Sequence, residues 1–269
     1  MHSLVSFNGK ISGFDNVSVS ALSLAALYGK GVFTTIAIHN QEPFLWQKHW
    51  LRLKENAVKL GMDLAEFSEA VTKKTLDEII EKNGVVNGRA RVTFFDESSS
   101  RIWRFEAKRK TSLLIMTADH HLIPDDFRVT ISTNSVSSKP LLAGIKSCNY
   151  LENILAIDIA KQYGFDEAIR LNERGEVTSG CMANVFWLKD GQLSTPGLKT
   201  GCLPGTTREY ILENLECQEV ETSETAIYEA DAVFMTSAGL GVVAVKELEG
   251  KQLREIDHPI LNLIPEIPT

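Results

Sequence analysis

The sequence predicts a mixed α/β (α+β) fold of two domains, and three observations carry this prediction. The chain has 269 residues, 43% of them hydrophobic, which is enough to bury a sizeable core and to form two domains of ordinary size. Strand-like segments alternate with segments whose apolar residues recur at helical spacing. A polar stretch at 118–126, containing Pro124 and three acids, separates the halves. We therefore expect domains at 1–117 and 127–269, with 118–126 as the linker.

The first half predicts a sandwich of antiparallel strands and two helices. Asn8-Gly9 is a strong two-residue hairpin signal between two short strands. Further strands are predicted from β-branched and apolar runs at 32–39, 89–95 and 112–117. The apolar spacing predicts one helix within 43–60, stopped by Gly61, and a second over 65–82 with Phe67, Val71, Ile79 and Ile80 facing inward.

The second half is predicted to be richer in strand. Strands are expected at 127–136, 167–172, 184–189, 192–195 and 232–237. A helix capped by Asn149 is expected over 149–163, with Leu151, Ile154, Leu155 and Ile159 along one side, and another over 207–215.

Composition narrows the function classes. The net charge is −7 and the basic runs are no longer than Lys108-Arg109-Lys110, so we expect neither a nucleic-acid nor a membrane surface. The first ten residues lack the architecture of a signal peptide, and no apolar run approaches the ~20 residues that span a bilayer. The four cysteines form no C-x-x-C pair and the histidines no metal-binding spacing. We expect a cytoplasmic protein with reduced thiols, no metal and a small-molecule partner.

Lys146 is the first candidate for chemistry. It ends a glycine-containing loop, Ala143-Gly144-Ile145-Lys146, immediately before a predicted helix. Most lysines are solvated surface charges, but a lysine among apolar neighbours loses its proton more easily, which Schiff-base chemistry requires.

Three further features each have a functional and a structural interpretation. Gly205-Thr206-Thr207 enters a helix and could bind a phosphate, although Thr206 with Glu209 also fits a capping box. Arg52 could bind a phosphate or lie at a helix boundary with its stem on apolar surface. The small residues from Thr178 to Ala183 permit close approach to a ligand but also form ordinary turns.

The order and spacing of these segments resemble the class IV aminotransferase family, the fold type IV enzymes that use pyridoxal 5′-phosphate (PLP). The resemblance spans nearly the whole chain and rests on five blocks: Gly29-x-Gly31-Val32-Phe33-Thr34-Thr35, His49-x-x-Arg52-Leu53, Gly144-Ile145-Lys146-x-x-Asn149-Tyr150-Leu151, Thr178-x-Gly180-x-x-x-Asn184-Val185-Phe186 and Leu203-Pro204-Gly205-x-Thr207-Arg208.

The resemblance implies a homodimer of two-domain chains, with PLP at the domain junction. Lys146, placed in the C-terminal domain, matches the Schiff-base lysine. The implied cofactor-binding residues are Arg52, Thr206 and Thr207 at the phosphate, with Ser179, Gly180 and Ser237 elsewhere. Substrate carboxylates need cationic or hydroxyl partners, for which Thr34, Thr35, Arg91 and Arg104 are the candidates, and Phe33 is a further expected substrate contact.

One position departs from the family pattern. The family places before Gly180 a glutamate that keeps the pyridine nitrogen of PLP protonated, and this chain has Ser179. Glu176 lies three residues away, ~10 Å along a strand and on the opposite face, so it could substitute only through a bend. We therefore expect a weaker electron sink than is usual in the family.

The blocks are most similar to those of the aminodeoxychorismate lyase subfamily. The expected reaction is lysis of 4-amino-4-deoxychorismate to 4-aminobenzoate and pyruvate, which tolerates a weak electron sink better than reversible amino transfer. Alternatives are a branched-chain, D-amino-acid or (R)-amine aminotransferase, or a PLP-binding protein that does not transaminate. A usual D-amino-acid enzyme is disfavoured because Phe33-Thr34 replaces that subfamily's Tyr-Glu pair. A serine or cysteine hydrolase is disfavoured because no G-x-S-x-G motif exists.

Overall fold

The computed structural model describes residues 1–101, 104–105, 110–120, 122–139 and 141–265, and at 100, 101, 104 and 105 the backbone alone. Its contacts divide the chain into two compact units. The first unit comprises residues 1–120 together with Ile145–Asn149, and the second comprises residues 121–144 and the chain from Tyr150 onward.

The first unit is built on an antiparallel sheet with the strand order β2-β1-β8-β5-β3-β4. Its helices are α1 (Leu24–Tyr28), α2 (Trp46–Lys59) and α3 (Glu69–Lys82). Its strands are β1 (Leu4–Phe7), β2 (Lys10–Gly13), β3 (Gly31–His39), β4 (Glu42–Pro43), β5 (Gly88–Asp96), the separate pair β6 (Ser100–Arg101) and β7 (Arg104–Phe105), and β8 (Thr111–Ala118).

The second unit contains two five-stranded sheets within its described residues, ordered β11-β10-β9-β17-β18 and β14-β13-β12-β15-β16. Its helices are α4 (Leu151–Gln162), α5 (Thr206–Asn214) and α6 (Thr225–Tyr228). Its strands are β9 (Arg128–Ile131), β10 (Glu167–Leu171), β11 (Val177–Gly180), β12 (Asn184–Lys189), β13 (Gln192–Pro196), β14 (Gln218–Val220), β15 (Ala232–Ser237), β16 (Gly241–Ala244), β17 (Glu247–Leu248) and β18 (Lys251–Gln252).

The hairpin and the long strands of the first unit agree with the sequence predictions. Asn8 and Gly9 both have positive φ, 49° and 79°, as a two-residue hairpin turn requires. The first helix starts later than predicted: Leu45 is left-handed, with φ 54°, and α2 begins only at Trp46. The second helix begins at Glu69, because the Ser68 hydroxyl caps it by accepting from the Val71 N–H. Val71, predicted to face inward, is exposed.

Helix α4 differs from the prediction in its cap and in its buried face. Asn149 does not cap it; the Asn149 Nδ2 donates instead to the carbonyl of Gly29. The predicted apolar stripe is exposed, and Ala156, Ile157 and Ala160 are buried. Small alanines on this face allow the helix to approach Ala168 of β10 closely. The predicted strand at 127–136 is also shorter, covering Arg128–Ile131.

The segment around Lys146 corrects the expected domain assignment. The sequence placed Lys146 in the C-terminal domain, yet its contacts assign it to the first unit. The Phe33 N–H donates to the Lys146 carbonyl and the Cys148 N–H to the Gly31 carbonyl. Backbone pairing to β3 therefore outweighs position along the chain. Among the described residues, no helix is long and apolar enough to cross a membrane.

Candidate active site

Lys146 is held against the start of β3 by backbone pairing. The Phe33 N–H donates to the Lys146 carbonyl over 3.0 Å, and the Cys148 N–H donates to the Gly31 carbonyl over 2.8 Å. Between them, Ser147 forms a β-bridge with Val32. Gly31 makes this approach possible: a Cβ there would lie 2.8 Å from the Phe94 carbonyl oxygen and 3.0 Å from the Cys148 Sγ. The sequence thus uses a glycine to bring a loop lysine onto a sheet.

The Lys146 amine lies in the first unit beside the Phe33 ring, within the electrostatic influence of Arg52 and Arg91. Its Nζ is 4.6 Å from the centroid of the Phe33 ring, and the Arg91 guanidinium carbon is 3.6 Å from that centroid. Burial, and then the positive charges of Arg52 and Arg91, lower the pKa of Lys146 from 10.5 to about 7. Part of the residue remains accessible to solvent. Lys146 is therefore a nucleophilic amine near neutral pH.

This lowered pKa gives a pH prediction for the reaction of the apoprotein with PLP. Only the neutral amine attacks an aldehyde, so the rate should rise about tenfold per pH unit below pH 7 and level off above it. Stopped-flow absorbance after adding PLP measures this rate. Arg91→Gln removes a like charge, raises the pKa of Lys146 and should move the profile to higher pH. A wild-type rate that still climbs steeply from pH 8 to about 10 would contradict the assignment.

Arg52 is positioned by a short chain of side chains on the other face of β3. Its Nη2 donates to the Thr34 Oγ1 over 2.9 Å, and the Thr34 Oγ1 lies 2.6 Å from the Nδ1 of His49. Burial, with the charges of Arg52 and Lys146, lowers the pKa of His49 well below its usual value. A neutral His49 can accept the Thr34 proton while that hydroxyl accepts from Arg52.

His49 is a site residue that the sequence reasoning did not single out. It is almost fully buried and lies on α2 one turn before Arg52. The spacing of three residues on one helix face was the available signal.

The predicted substrate residues lie on both faces of the sheet, because side chains alternate in direction along β3. Phe33 and Thr35 share one face, and Arg91, paired opposite Thr35, lies on it as well. Thr34 faces the opposite side, towards α2, with Arg52 and His49. The backbone of Arg104 lies in β7, and its side chain is outside the described part of the structure.

In the second unit, Gly205, Thr206 and Thr207 form the start of α5. Gly205 is the N-cap and supplies no side-chain cap, so the capping-box interpretation of Thr206 and Glu209 is wrong. Thr206 and Thr207 are both buried, in the first turn, where the helix end is positive. An uncapped helix start with buried hydroxyls suits a phosphate.

Gly205 itself is packed against Asn184, at the start of β12. A Cβ at Gly205 would lie 2.0 Å from the Asn184 Oδ1, whose amide Nδ2 donates to the Leu203 carbonyl. Asn184 pairs with Thr236, the neighbour of Ser237 in β15. The Ser237 hydroxyl accepts from the N–H groups of Gly239 and Leu240, so it closes the turn that follows the strand.

We predict that Gly205→Ala destabilises the start of α5. Because the methyl group cannot fit beside Asn184, we expect a loss of about 1–3 kcal/mol in the free energy of unfolding. PLP affinity should fall with it. Urea denaturation and PLP titration measure both quantities. The matched control is Gly197→Ala, where the nearest atom would be 3.9 Å away; equal effects of the two variants would contradict the prediction.

Ser179 and Gly180 lie on β11, which is antiparallel to β10. Gly180 has no room for a side chain, since a Cβ would lie 2.5 Å from the Met235 Cε and 3.1 Å from the Glu167 Cδ. Ser179 lies directly opposite Arg170. Glu167 and Arg170 are three residues apart on β10, so their side chains face opposite sides of the sheet. Ser179, opposite Arg170, therefore lies on a different face from Glu167.

Two glutamates near Ser179 are already engaged. Glu176 accepts from the Arg174 Nη2 over 2.6 Å and from the Asn172 Nδ2 over 2.8 Å. Glu167 is buried and accepts the N–H groups of Ala168, Cys181 and Met182. Burial raises the pKa of Glu167 despite these bonds. Glu167 stabilises the turn after β11, a role that the sequence reasoning missed.

Comparison with known proteins identifies the family to which this chain belongs. Residues 31–248 match the sequence profile described as amino-transferase class IV. The chain belongs to the class IV aminotransferase family, whose members are PLP-dependent enzymes. The predicted family and fold class are therefore confirmed.

Individual relatives fall into two activities. The chain is 28% identical, over 97% of its length and 95% of the relative, to a Methanocaldococcus jannaschii protein named "Putative branched-chain-amino-acid aminotransferase". It is 27% identical to the aminodeoxychorismate lyase of Bacillus subtilis, over 91% of its length and 87% of that enzyme. A crystal structure of the Escherichia coli branched-chain amino acid aminotransferase superimposes with a TM-score of 0.90 at 24% identity, covering 98% of this chain and 92% of that one.

Proposed function

We propose that this protein is a PLP-dependent lyase that converts 4-amino-4-deoxychorismate into 4-aminobenzoate and pyruvate. The observation that carries the proposal is Lys146, an amine whose pKa is lowered to about 7 by burial and by the charges of Arg52 and Arg91. The chain also has Ser179 where the family has a glutamate. The lyase of Bacillus subtilis, similar over 91% of the chain, supports it.

The residues present fit PLP. A neutral Lys146 suits covalent attachment of the aldehyde, and Arg52 offers a guanidinium to the phosphate. Thr206 and Thr207 offer a helix start without a side-chain cap. We also assign Ser179, Gly180 and Ser237 to the cofactor's surroundings. When bound, PLP supplies electron withdrawal from the carbon that carries the substrate amine.

Lys146 performs the proton transfers in this proposal. In its neutral form it accepts the proton from C4, the ring carbon that carries the amine. The electron pair forms the aromatic ring, and the C3–O bond to the three-carbon side chain breaks. The side chain leaves as the enolate of pyruvate, with the electron pair of the C3–O bond on its oxygen. Protonated Lys146 then returns the proton to the methylene carbon of this enolate, which gives pyruvate. No redox partner or second substrate is needed.

Arg91 is the strongest candidate for orienting the substrate. The substrate carries two carboxylates, and a guanidinium binds a carboxylate with two parallel hydrogen bonds. Arg91 lies against the Phe33 ring, as does the Lys146 amine, and it pairs opposite Thr35 on the same face of the sheet. We propose that Phe33 packs against the substrate ring, with Thr34, Thr35 and Arg104 as further contacts.

Amino transfer between an amino acid and a 2-oxo acid is the second candidate. It is favoured by the similarity to the branched-chain-amino-acid aminotransferase of Escherichia coli, 25% identical over 93% of the chain. Both reactions use Lys146 in the same way, and they differ in whether an acceptor acid is required. A protein that binds PLP without turnover is the remaining alternative.

The deciding experiment measures pyruvate and 4-aminobenzoate from purified holoenzyme with and without an added 2-oxo acid. The lyase releases equal amounts of both products without an acceptor. Turnover that requires the acceptor, tested with branched-chain L-amino acids, D-alanine and (R)-amines, would overturn the lyase and establish amino transfer. A coloured protein inactive on every substrate would point to the binding protein.

We also propose that the enzyme is a cytoplasmic homodimer. All four cysteines are free, as in a reducing compartment. Helix α4 exposes Leu151, Ile154 and Leu155, at 67%, 42% and 53%, and such an apolar surface marks an interface.

Light scattering should give twice the chain mass for the wild type, and Leu155→Lys should give single chains. Val58→Lys, at another exposed apolar position, is the control that should stay dimeric. A wild-type protein of single-chain mass would refute the dimer.

A further inference from the structure

Arg170 is a buried arginine that, within the described structure, pairs loosely with a single, largely solvated carboxylate. It lies on β10, and only 3% of its surface is exposed. Among the described residues its Nε has no hydrogen-bond partner. The nearest carboxylate oxygen in an ion pair belongs to Glu152, 3.7 Å from Nη2, on a side chain that is 81% exposed. Because a buried charge is costly unless it is hydrogen-bonded, this guanidinium indicates a ligand.

Arg170 shares a face of the sheet with Ser179. The two residues are directly opposite in the antiparallel pair of β10 and β11. Side chains opposite each other project to the same side, with Cβ atoms about 4.5–5.5 Å apart. Ser179 occupies the position from which the family's glutamate contacts the pyridine nitrogen of PLP. The longer Arg170 side chain is therefore on the correct face to reach the same atom.

Among the residues that the structure describes, three glutamates lie near this part of the sheet, and each is engaged elsewhere or largely solvated. Glu167 projects to the opposite face and accepts three backbone N–H groups. Glu176 is held by Arg174 and Asn172. Glu152, the remaining acid near this face, is largely solvated, and its carboxylate is the one that contacts Arg170.

We infer that Arg170 donates a hydrogen bond to the pyridine nitrogen of PLP and holds that nitrogen unprotonated, with the Ser179 hydroxyl beside it. The inference rests on the proposed PLP site. A guanidinium is always charged and can only donate, so its partner must present a lone pair. A protonated ring nitrogen would place two positive donors face to face. Arg170 therefore reverses the polarity of the contact that the family's glutamate makes.

The test is the ¹⁵N NMR spectrum of the holoenzyme reconstituted with PLP labelled at the ring nitrogen. The wild type should give the chemical shift of an unprotonated pyridine between about pH 6 and 8. Arg170→Leu should weaken PLP binding about tenfold, the loss of one charge-assisted hydrogen bond, and move the resonance towards the pyridinium position. Arg254→Leu, at an exposed arginine of the same unit, should change neither.

The outcomes separate this inference from the proposed function. A pyridinium resonance in wild-type holoenzyme would overturn the role of Arg170 and leave the PLP site intact. Failure of the protein to bind PLP at all would overturn both. If Arg170→Leu fails to fold, the wild-type spectrum alone decides, because it requires no variant.

Discussion

Replacing Lys146 by alanine is expected to abolish turnover, with kcat/KM falling by more than about 10⁴-fold. The substitution removes both the amine that attaches PLP and the group that moves the substrate proton, and proton transfer alone contributes about 10²–10⁴-fold. The visible absorption of lysine-bound PLP should disappear as well. Steady-state assays and absorption spectra of purified protein measure the two effects.

The control for this prediction is Lys199→Ala. Lys199 has an exposed side chain that lies 3.9 Å from Glu221, so its loss should leave both the spectrum and the rate unchanged. Denaturation curves should show that Lys146→Ala remains folded, because removing a buried amine with a depressed pKa removes a desolvation cost. A Lys146→Ala protein that kept the absorption band would refute the attachment site.

Local signals in the sequence predicted the strands and hairpin well. Asn8-Gly9 fixes its turn through backbone geometry alone, and β3 and β12 are read from uninterrupted β-branched and aromatic runs. These features are determined by residues close together in the sequence, so local patterns were sufficient to predict them. The buried face of helix α4 was predicted wrongly. It depends on the close packing of Ala156 and Ala160 against β10, a long-range contact, whereas the sequence pattern favoured the larger leucines of the opposite side.

The candidate site was predictable only in part, for a similar reason. Lys146, Arg52 and the Gly205-Thr206-Thr207 loop stand out by their order along the chain, which a family resemblance preserves. The hydrogen bonds of His49 and Thr34, and the burial of Arg170, depend on pairings across helices and strands. A positive charge among the apolar residues of the strand Glu167–Leu171 was the available signal for Arg170.

A pair of variants tests whether the missing carboxylate at position 179 determines if the enzyme performs lysis or amino transfer. In the double variant Arg170→Leu/Ser179→Glu, the new carboxylate faces the ring nitrogen without a competing cation. A charge partner there stabilises a carbanion by a few kcal/mol, so we expect acceptor-dependent amino transfer to increase by roughly 100-fold. Rates of 2-oxo acid formation from a panel of amino acids, with and without an acceptor, measure this gain.

The single variant Ser179→Glu supplies the matched control. Its carboxylate lies opposite Arg170 and should form a salt bridge with it, which leaves the ring nitrogen without a proton donor and the rate nearly unchanged. A double variant whose ring nitrogen is protonated by NMR but whose amino transfer stays at the wild-type level would contradict the expectation. In that case substrate recognition by Arg91 and its neighbours, rather than the electronics set by Arg170 and Ser179, would determine which reaction the enzyme performs.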